Sequence, residues 1–169
     1  RAESGGSLHS HASPRPRPDR YYGRNESDGV RGKKLSAFLA GNHPYLSAYQ
    51  IGLNRAAEQF GINLEISNSE WDPILQEEQV ESVLSNPPDL ILLMPESNHE
   101  SSYLYKRIYE AGIPVIASNM LPDDEGFKYI LSWTGPDDWA QSRALANRFG
   151  ELMKGVGGYG VITHIEDTS

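Results

Sequence analysis

The sequence predicts an α/β fold, a doubly wound parallel sheet with helices on both faces. From Lys34 onward, short apolar runs alternate with stretches whose apolar residues recur at helical spacing. Glycines stand where that spacing stops, as at Gly61 and Gly112. Strands that follow one another through helices pair in parallel by right-handed crossovers, which place helices on both faces.

The elements follow in order. Residues 35–40 (LSAFLA) suit a short buried strand. Leu46, Tyr49, Leu53, Ala56 and Phe60 then mark one helix, stopped by Gly61. Residues 62–67 (INLEIS) alternate like a second strand. After the polar loop NSEWD, Pro73 fits the first turn of a helix carrying Leu75, Val80, Val83 and Leu84. The break NPPD (86–89) precedes LILLM (90–94), the clearest buried strand. A helix over 99–111 directs Tyr103, Leu104 and Ile108 inward, and IPVIAS (113–118) is the next strand. A strand over 129–133 (YILSW) follows the turn NMLPDDEG. A helix over 137–154 carries Trp139, Ala146, Phe149 and Leu152 on one face, and YGVITHI (159–165) is a last strand.

In such sheets ligands bind beyond the carboxyl ends of the strands. Those ends are AGNHPY (40–45), SNSEWD (67–72), PESNHE (95–100) and SNMLPD (118–123), all polar or aromatic. Topology therefore predicts a site on this rim.

Composition narrows the function. The net charge of −8 conceals an asymmetry: residues 1–34 hold eight Lys or Arg against four Asp or Glu, and residues 35–169 hold seven against nineteen. An acidic body is a poor partner for nucleic acid. The basic segment, SGGSLHSHASPRPRPDR, is rich in Ser, Gly and Pro, so residues 1–33 read as a disordered tail. Its His9 and His11 fall short of the ligand set a metal site needs. No apolar run approaches the ~20 residues that span a bilayer, so no membrane insertion is expected. The chain starts at Arg rather than Met and reads as processed or trimmed, with any export signal already removed. The absence of cysteine excludes disulfides, thiolate metal sites and a cysteine nucleophile.

Motifs for catalysis are missing. No G-x-G-x-x-G follows the first strand and no phosphate-loop motif occurs. The glycine-rich GVGGYG (155–160) precedes a strand instead of opening a helix, and no G-x-S-x-G elbow positions a serine. Glu70 with Asp72, and Asp123 with Asp124, read as solvated loop carboxylates. His99–Glu100 lacks the second histidine of a zinc helix and reads as a helix N-terminus. No enzyme activity, cofactor or metal is expected.

The ordered motifs resemble those of the type I periplasmic binding proteins of the ribose-binding family. The turn N-H-P-Y with its helix LSAYQIGLNRAAEQFGINL, the strand PPDLILLMP, the stretch EAGIPVIASN, the segment TGPDDWAQSRALANRF and the final YGVITHIEDTS are each similar to family landmarks in the same order. The resemblance covers about residues 34–169. It implies a Rossmann-like lobe at 34–132, then a hinge and the start of a second, incomplete lobe at 133–169.

The resemblance also implies a site. Family sugar contacts fall on Asn42, His43 and Tyr45 in the first turn, and on Asn119 and Met120 just after IPV, where an aspartate and an arginine are common. Asn119 can still donate and accept, whereas Met120 offers soft apolar contact. Tyr45 reads equally as a packing residue of its helix, and Asn42 as a helix cap. Glu96 and Trp71 share the rim and join the candidates; Trp133 and Asp137 read as hinge and capping residues.

The expected function is a periplasmic or extracellular solute-binding protein that holds a sugar or related polyol between two lobes. Its partner would be the membrane permease of an ABC transporter or, alternatively, a sensor histidine kinase. The effector domain of a LacI-type repressor shares the fold, but HASPRPRPDR (11–20) supplies no helix-turn-helix ahead of Lys34.

Overall fold

The computed structural model describes residues 29–161. The elements are β1 (Lys34–Leu39), α1 (Pro44–Phe60), β2 (Asn63–Asn68), α2 (Pro73–Leu84), β3 (Leu90–Leu93), α3 (Asn98–Glu110), β4 (Val115–Ser118), a 3-10 turn (Gly126–Lys128), β5 (Ser132–Thr134) and α4 (Asp138–Met153). The five strands form one parallel sheet in the order β2-β1-β3-β4-β5. The described residues divide into two compact units, one ending at Gly135 and the other beginning at Pro136.

Helix boundaries follow local chemistry. Pro44 opens α1, and the His43 imidazole caps it by accepting from the Tyr45 N–H. Gly61 ends it at φ 69°, in the left-handed region that a glycine adopts without steric cost. The carboxylate of Asp72 caps α2 through the N–H groups of Ile74 and Leu75, with Pro73 in the first turn. Ahead of β1, residues 30–33 form a turn in which the Gly32 N–H donates to Gly61 O.

Alternation along the strands divides the core between the two faces of the sheet. Phe38, Ile91, Leu93, Val115 and Ala117 pack with Val80 of α2 and with Leu104, Tyr105 and Ile108 of α3. Leu39 and Met94, of opposite parity, pack with Leu46, Tyr49 and Leu53 of α1. A helix thus covers each face, as double winding requires.

The structure corrects the sequence reading within the first unit in three places. Tyr103 is exposed, and the inward face of α3 is Ser101, Leu104, Tyr105 and Ile108, a strict i, i+3, i+4, i+7 stripe. The strand expected over 129–133 falls at 132–134. Adjacent Tyr129 and Ile130 both pack on one core cluster, which an extended strand with side chains on alternate faces cannot do. Phe60 is exposed at the end of α1, where Ala57 is buried instead.

In the second unit, Asp137 caps α4 by accepting from the Ala140 N–H, and the Phe149 and Tyr159 rings meet edge to face at 6.4 Å. None of the α4 residues is buried, so Trp139, Phe149 and Leu152 are exposed apolar side chains on a largely polar helix. Residues 159–161 form no strand; the rest of the strand expected over 159–165, and the tail expected at 1–28, lie outside the described residues. Among the described residues, no helix is long and apolar enough to cross a membrane.

Candidate ligand-binding rim

The strand order places the topological switch between β1 and β3: the chain moves outward from β1 to β2, then back across β1 to β3. Ligand crevices in open parallel sheets lie at the carboxyl ends beside such a switch. The turns after β1, β2, β3 and β4 meet there.

The turn after β1 leans on the turn after β2. Asn42 Nδ2 donates to Glu70 Oε1 at 2.8 Å, and Asn42 Oδ1 accepts from Asn68 Nδ2 at 3.1 Å. Both ends of the Asn42 carboxamide are thus engaged by protein. His43 spends Nδ1 on its cap, which leaves Nε2 for other partners. The indole of Trp71 lies over Gly41, yet Trp71 is 52% exposed.

Tyr45 reaches the other way. Its hydroxyl donates to Asn119 Oδ1 at 3.1 Å, spanning the end of β3 and joining the turns after β1 and β4. One helical turn on, the Tyr49 and Ser118 hydroxyls are 2.7 Å apart. Burial raises the Tyr49 phenol pKa against the pull of that bond. The rings of Tyr45 and Tyr49 stand 6.5 Å apart, tilted by 30°.

Asn119 adopts φ 65°, a left-handed conformation that asparagine tolerates better than most residues. Its N–H donates to Thr134 O. The next carbonyl, Met120 O, accepts from the Trp133 indole N–H at 3.1 Å, so Trp133 braces this turn. Glu96 sits on the turn after β3, and its N–H donates to Gln76 Oε1 at 3.1 Å. Gln76 is buried; its Nε2 donates to Met94 O and to Ser69 Oγ, tying the ends of β2 and β3 together beneath the rim.

The candidates from sequence therefore fall into two groups. Tyr45 and Asn119 are in direct contact, with Met120 beside them. Asn42 and Trp71 belong to a second group with Glu70 and Asn68, while His43 stands at the start of α1 and Glu96 above Gln76. Sequence reasoning passed over Gln76, included Asn68 and Ser118 only within the rim segments SNSEWD and SNMLPD, and set Glu70 aside as a solvated carboxylate. No Lys or Arg occurs in residues 40–45, 67–72, 95–100 or 118–123, whereas Glu70, Asp72, Glu96, Glu100 and Asp123 do. Among the described residues, no group of three or more His, Asp and Glu could hold a metal.

The fold has clear relatives among solved structures. A protein from Mycobacterium smegmatis in complex with β-D-fucofuranose is similar at TM-score 0.69 and 20% identity, over 75% of this chain and 42% of its own. The fructose-binding periplasmic domain of a hybrid two-component system is similar at TM-score 0.65 and 20% identity, over 74% of this chain and 41% of its own. A periplasmic ribose ABC transporter protein from Conexibacter woesei is similar at TM-score 0.63 and 23% identity, over 73% and 41%. The chain thus spans about 42% of the length of the first of these structures. No curated protein sequence matches it. A family model described as a periplasmic binding protein domain matches residues 37–169, most of the chain. Sequence, sheet order and structural relatives agree, and the chain belongs to the periplasmic binding protein domain family.

Proposed function

We propose that this chain supplies the first ligand-binding lobe of a periplasmic solute-binding protein, which captures a sugar or related polyol for delivery to an ABC transporter. The observation that supports this best is the Tyr45–Asn119 hydrogen bond across the end of β3. It draws two separate turns onto one spot at the switch point and leaves Asn119 Nδ2 available to a ligand oxygen. A hydroxyl-bearing ligand can replace the Tyr45–Asn119 bond with bonds of its own, because a hydroxyl both donates and accepts. In this reading residues 136–169 begin a second lobe that closes over the ligand and excludes water. His43, Met120 and Glu96 complete the floor of the cleft.

The similarity to a periplasmic domain of a hybrid two-component system favours a second reading, in which the closed form signals to a membrane sensor kinase. Both readings require the same capture step. A thermal-shift screen of the two-lobed protein against pentoses, hexoses, their furanose-forming isomers and inositols tests that step. A ligand at ~100 times its Kd stabilises by about 2.7 kcal/mol, which is several degrees for a domain of this size. A flat response to every compound would refute the capture of sugars or polyols. Reconstituted transport and kinase assays with the ligand found would then separate the two partners.

A further inference from the structure

The turn after β2 is built as a presenting device. The Asn68 carboxamide donates from Nδ2 to Gly41 O at 3.0 Å and to Asn42 Oδ1 at 3.1 Å, and its Oδ1 accepts from the Glu70 N–H at 2.9 Å. The Trp71 N–H donates to Ala40 O at 2.7 Å. Between these fastenings Glu70 and Trp71 take successive left-handed conformations, φ 53° and 65°. Two non-glycine residues in that region persist only where neighbours over-determine them.

The result is a matched pair of side chains resting on the turn after β1. The Trp71 indole covers Gly41 with one face while half of the residue stays exposed. Glu70 is anchored by Oε1 to Asn42, and Oε2 has no partner among the described residues. An exposed indole face accepts the C–H side of a saturated ring, and a carboxylate beside it accepts hydroxyl or ammonium protons. An anionic group placed there meets the Glu70 carboxylate, and none of the four rim segments supplies a Lys or Arg to offset it.

We infer that the turn after β2 is a recognition element for a polyhydroxy ligand that is uncharged or amine-bearing, and that it turns away carboxylate and phosphate derivatives. Trp71 is the stacking face, Glu70 the acceptor that sets the sign, and Asn68 the positioning residue that holds both. The inference rests on the solute-binding reading above and deepens it by naming the ligand's charge class.

Calorimetry on the two-lobed protein tests it with matched probes: ribose against ribose 5-phosphate, galactose against galactosamine and galacturonate, and myo-inositol against its monophosphate. The expected result is binding of at least one uncharged probe, with its anionic counterpart on the order of tenfold weaker or more. Glu70→Gln is expected to narrow that gap severalfold, and Trp71→Ala to weaken the uncharged probe by about tenfold. Asn68→Ala is expected to lower affinity and, with far-UV and near-UV circular dichroism unchanged, to red-shift Trp71 emission in a Trp133→Phe, Trp139→Phe background; the shift in a protein that is still folded separates lost positioning from lost stability. Equal or tighter binding of the anionic probe, or full affinity in both Glu70→Gln and Trp71→Ala, would overturn the inference while leaving solute capture standing. Binding of no probe of any charge would overturn both.

Discussion

Replacing Gly41 by alanine tests the central contact of the rim with one carbon atom. A Cβ at this position would lie 2.1 Å from Trp71 Cε2 and 2.3 Å from Nε1, well inside any real contact. The Gly41 φ lies outside the left-handed region, so alanine incurs no backbone strain and the clash is the whole perturbation. The indole has to leave. Trp71 is 52% exposed, so about half of the ~200 Å² that a tryptophan can bury is covered now. At ~25 cal/mol per Å², uncovering ~100 Å² costs at most about 2.5 kcal/mol, and partial repacking brings the expected loss to about 1–2 kcal/mol. Chemical denaturation measures it, and a cycle with Trp71→Ala isolates it. With the indole already gone, Gly41→Ala should cost almost nothing, so the coupling energy should equal nearly the entire effect. Trp71 emission in the background lacking Trp133 and Trp139 should shift to the red. A Gly41→Ala variant within about 0.3 kcal/mol of the parent, with unchanged emission, would refute the stacked arrangement.

Three further predictions probe what lies beneath the rim. Tyr105 is fully buried and its hydroxyl has no partner among the described residues, so Tyr105→Phe should stabilise by about 1 kcal/mol, read as a higher denaturation midpoint. Gln76→Ala should cost about 2–4 kcal/mol by equilibrium unfolding, because it strips partners from Met94 O, the Glu96 N–H and Ser69 Oγ together. Arg107 grips Glu81 with two hydrogen bonds of 2.7 and 2.8 Å, which lower the Glu81 pKa from its usual 4.5. A lowered carboxylate pKa contributes stability that is fully present above the unfolded value and lost as pH falls through the folded one. Glu81→Gln should therefore cost at most about 1 kcal/mol at pH 7, given the exposure of both partners, and the gap should narrow only once pH falls below the usual 4.5 and close as the folded-state carboxylate protonates, in a denaturation series.

Much of the fold was legible because its causes are local or periodic. Pro44 and Pro73 mark helix starts, Gly61 and Gly112 mark ends, and the buried strands announce themselves as unbroken apolar runs. The reading failed where tertiary packing chose among similar candidates. Tyr103, Leu104 and Tyr105 are neighbours of comparable bulk, and only the direction of the sheet decides that Tyr105 goes in. The residues after Gly126 were misread because their apolar character is real but serves a wound turn: Asp123 accepts from the Gly126 N–H and from Ser102 on α3, which curls the chain before the strand begins.

The rim divided along the same line. Topology alone placed Asn42, Tyr45, Trp71, Glu96 and Asn119 together at the strand ends. It could not say which of them face a ligand and which hold the others, because Asn42–Glu70 and Asn42–Asn68 join loops 26 to 28 residues apart and leave no periodic trace.

That division bears on how recognition is shared. Asn42 has both ends of its carboxamide committed to protein, so it acts first as a strut, whatever it touches afterwards. The struts beneath it are buried or multiply bonded: Ser69 fixes the ends of β1 through Leu39 O and Ala40 O, and Gln76 fixes the end of β3. Under the proposed function, a lobe fastened this way would meet its ligand with little left to order, and less of the contact energy would be lost to freezing loops. Tyr45 is the exception. Its hydroxyl bond to Asn119 is exposed and single, so it exchanges at small cost for a bond to a ligand oxygen. In the proposed site, a stiff face at Glu70 and Trp71, set against an exchangeable pair at Tyr45 and Asn119, would give one side to fixed shape and the other to adaptable hydrogen bonding. Charge and ring face would then be selected at the stiff side. Hydroxyl stereochemistry would be read at the exchangeable one, where one bond gained or lost changes affinity by about tenfold.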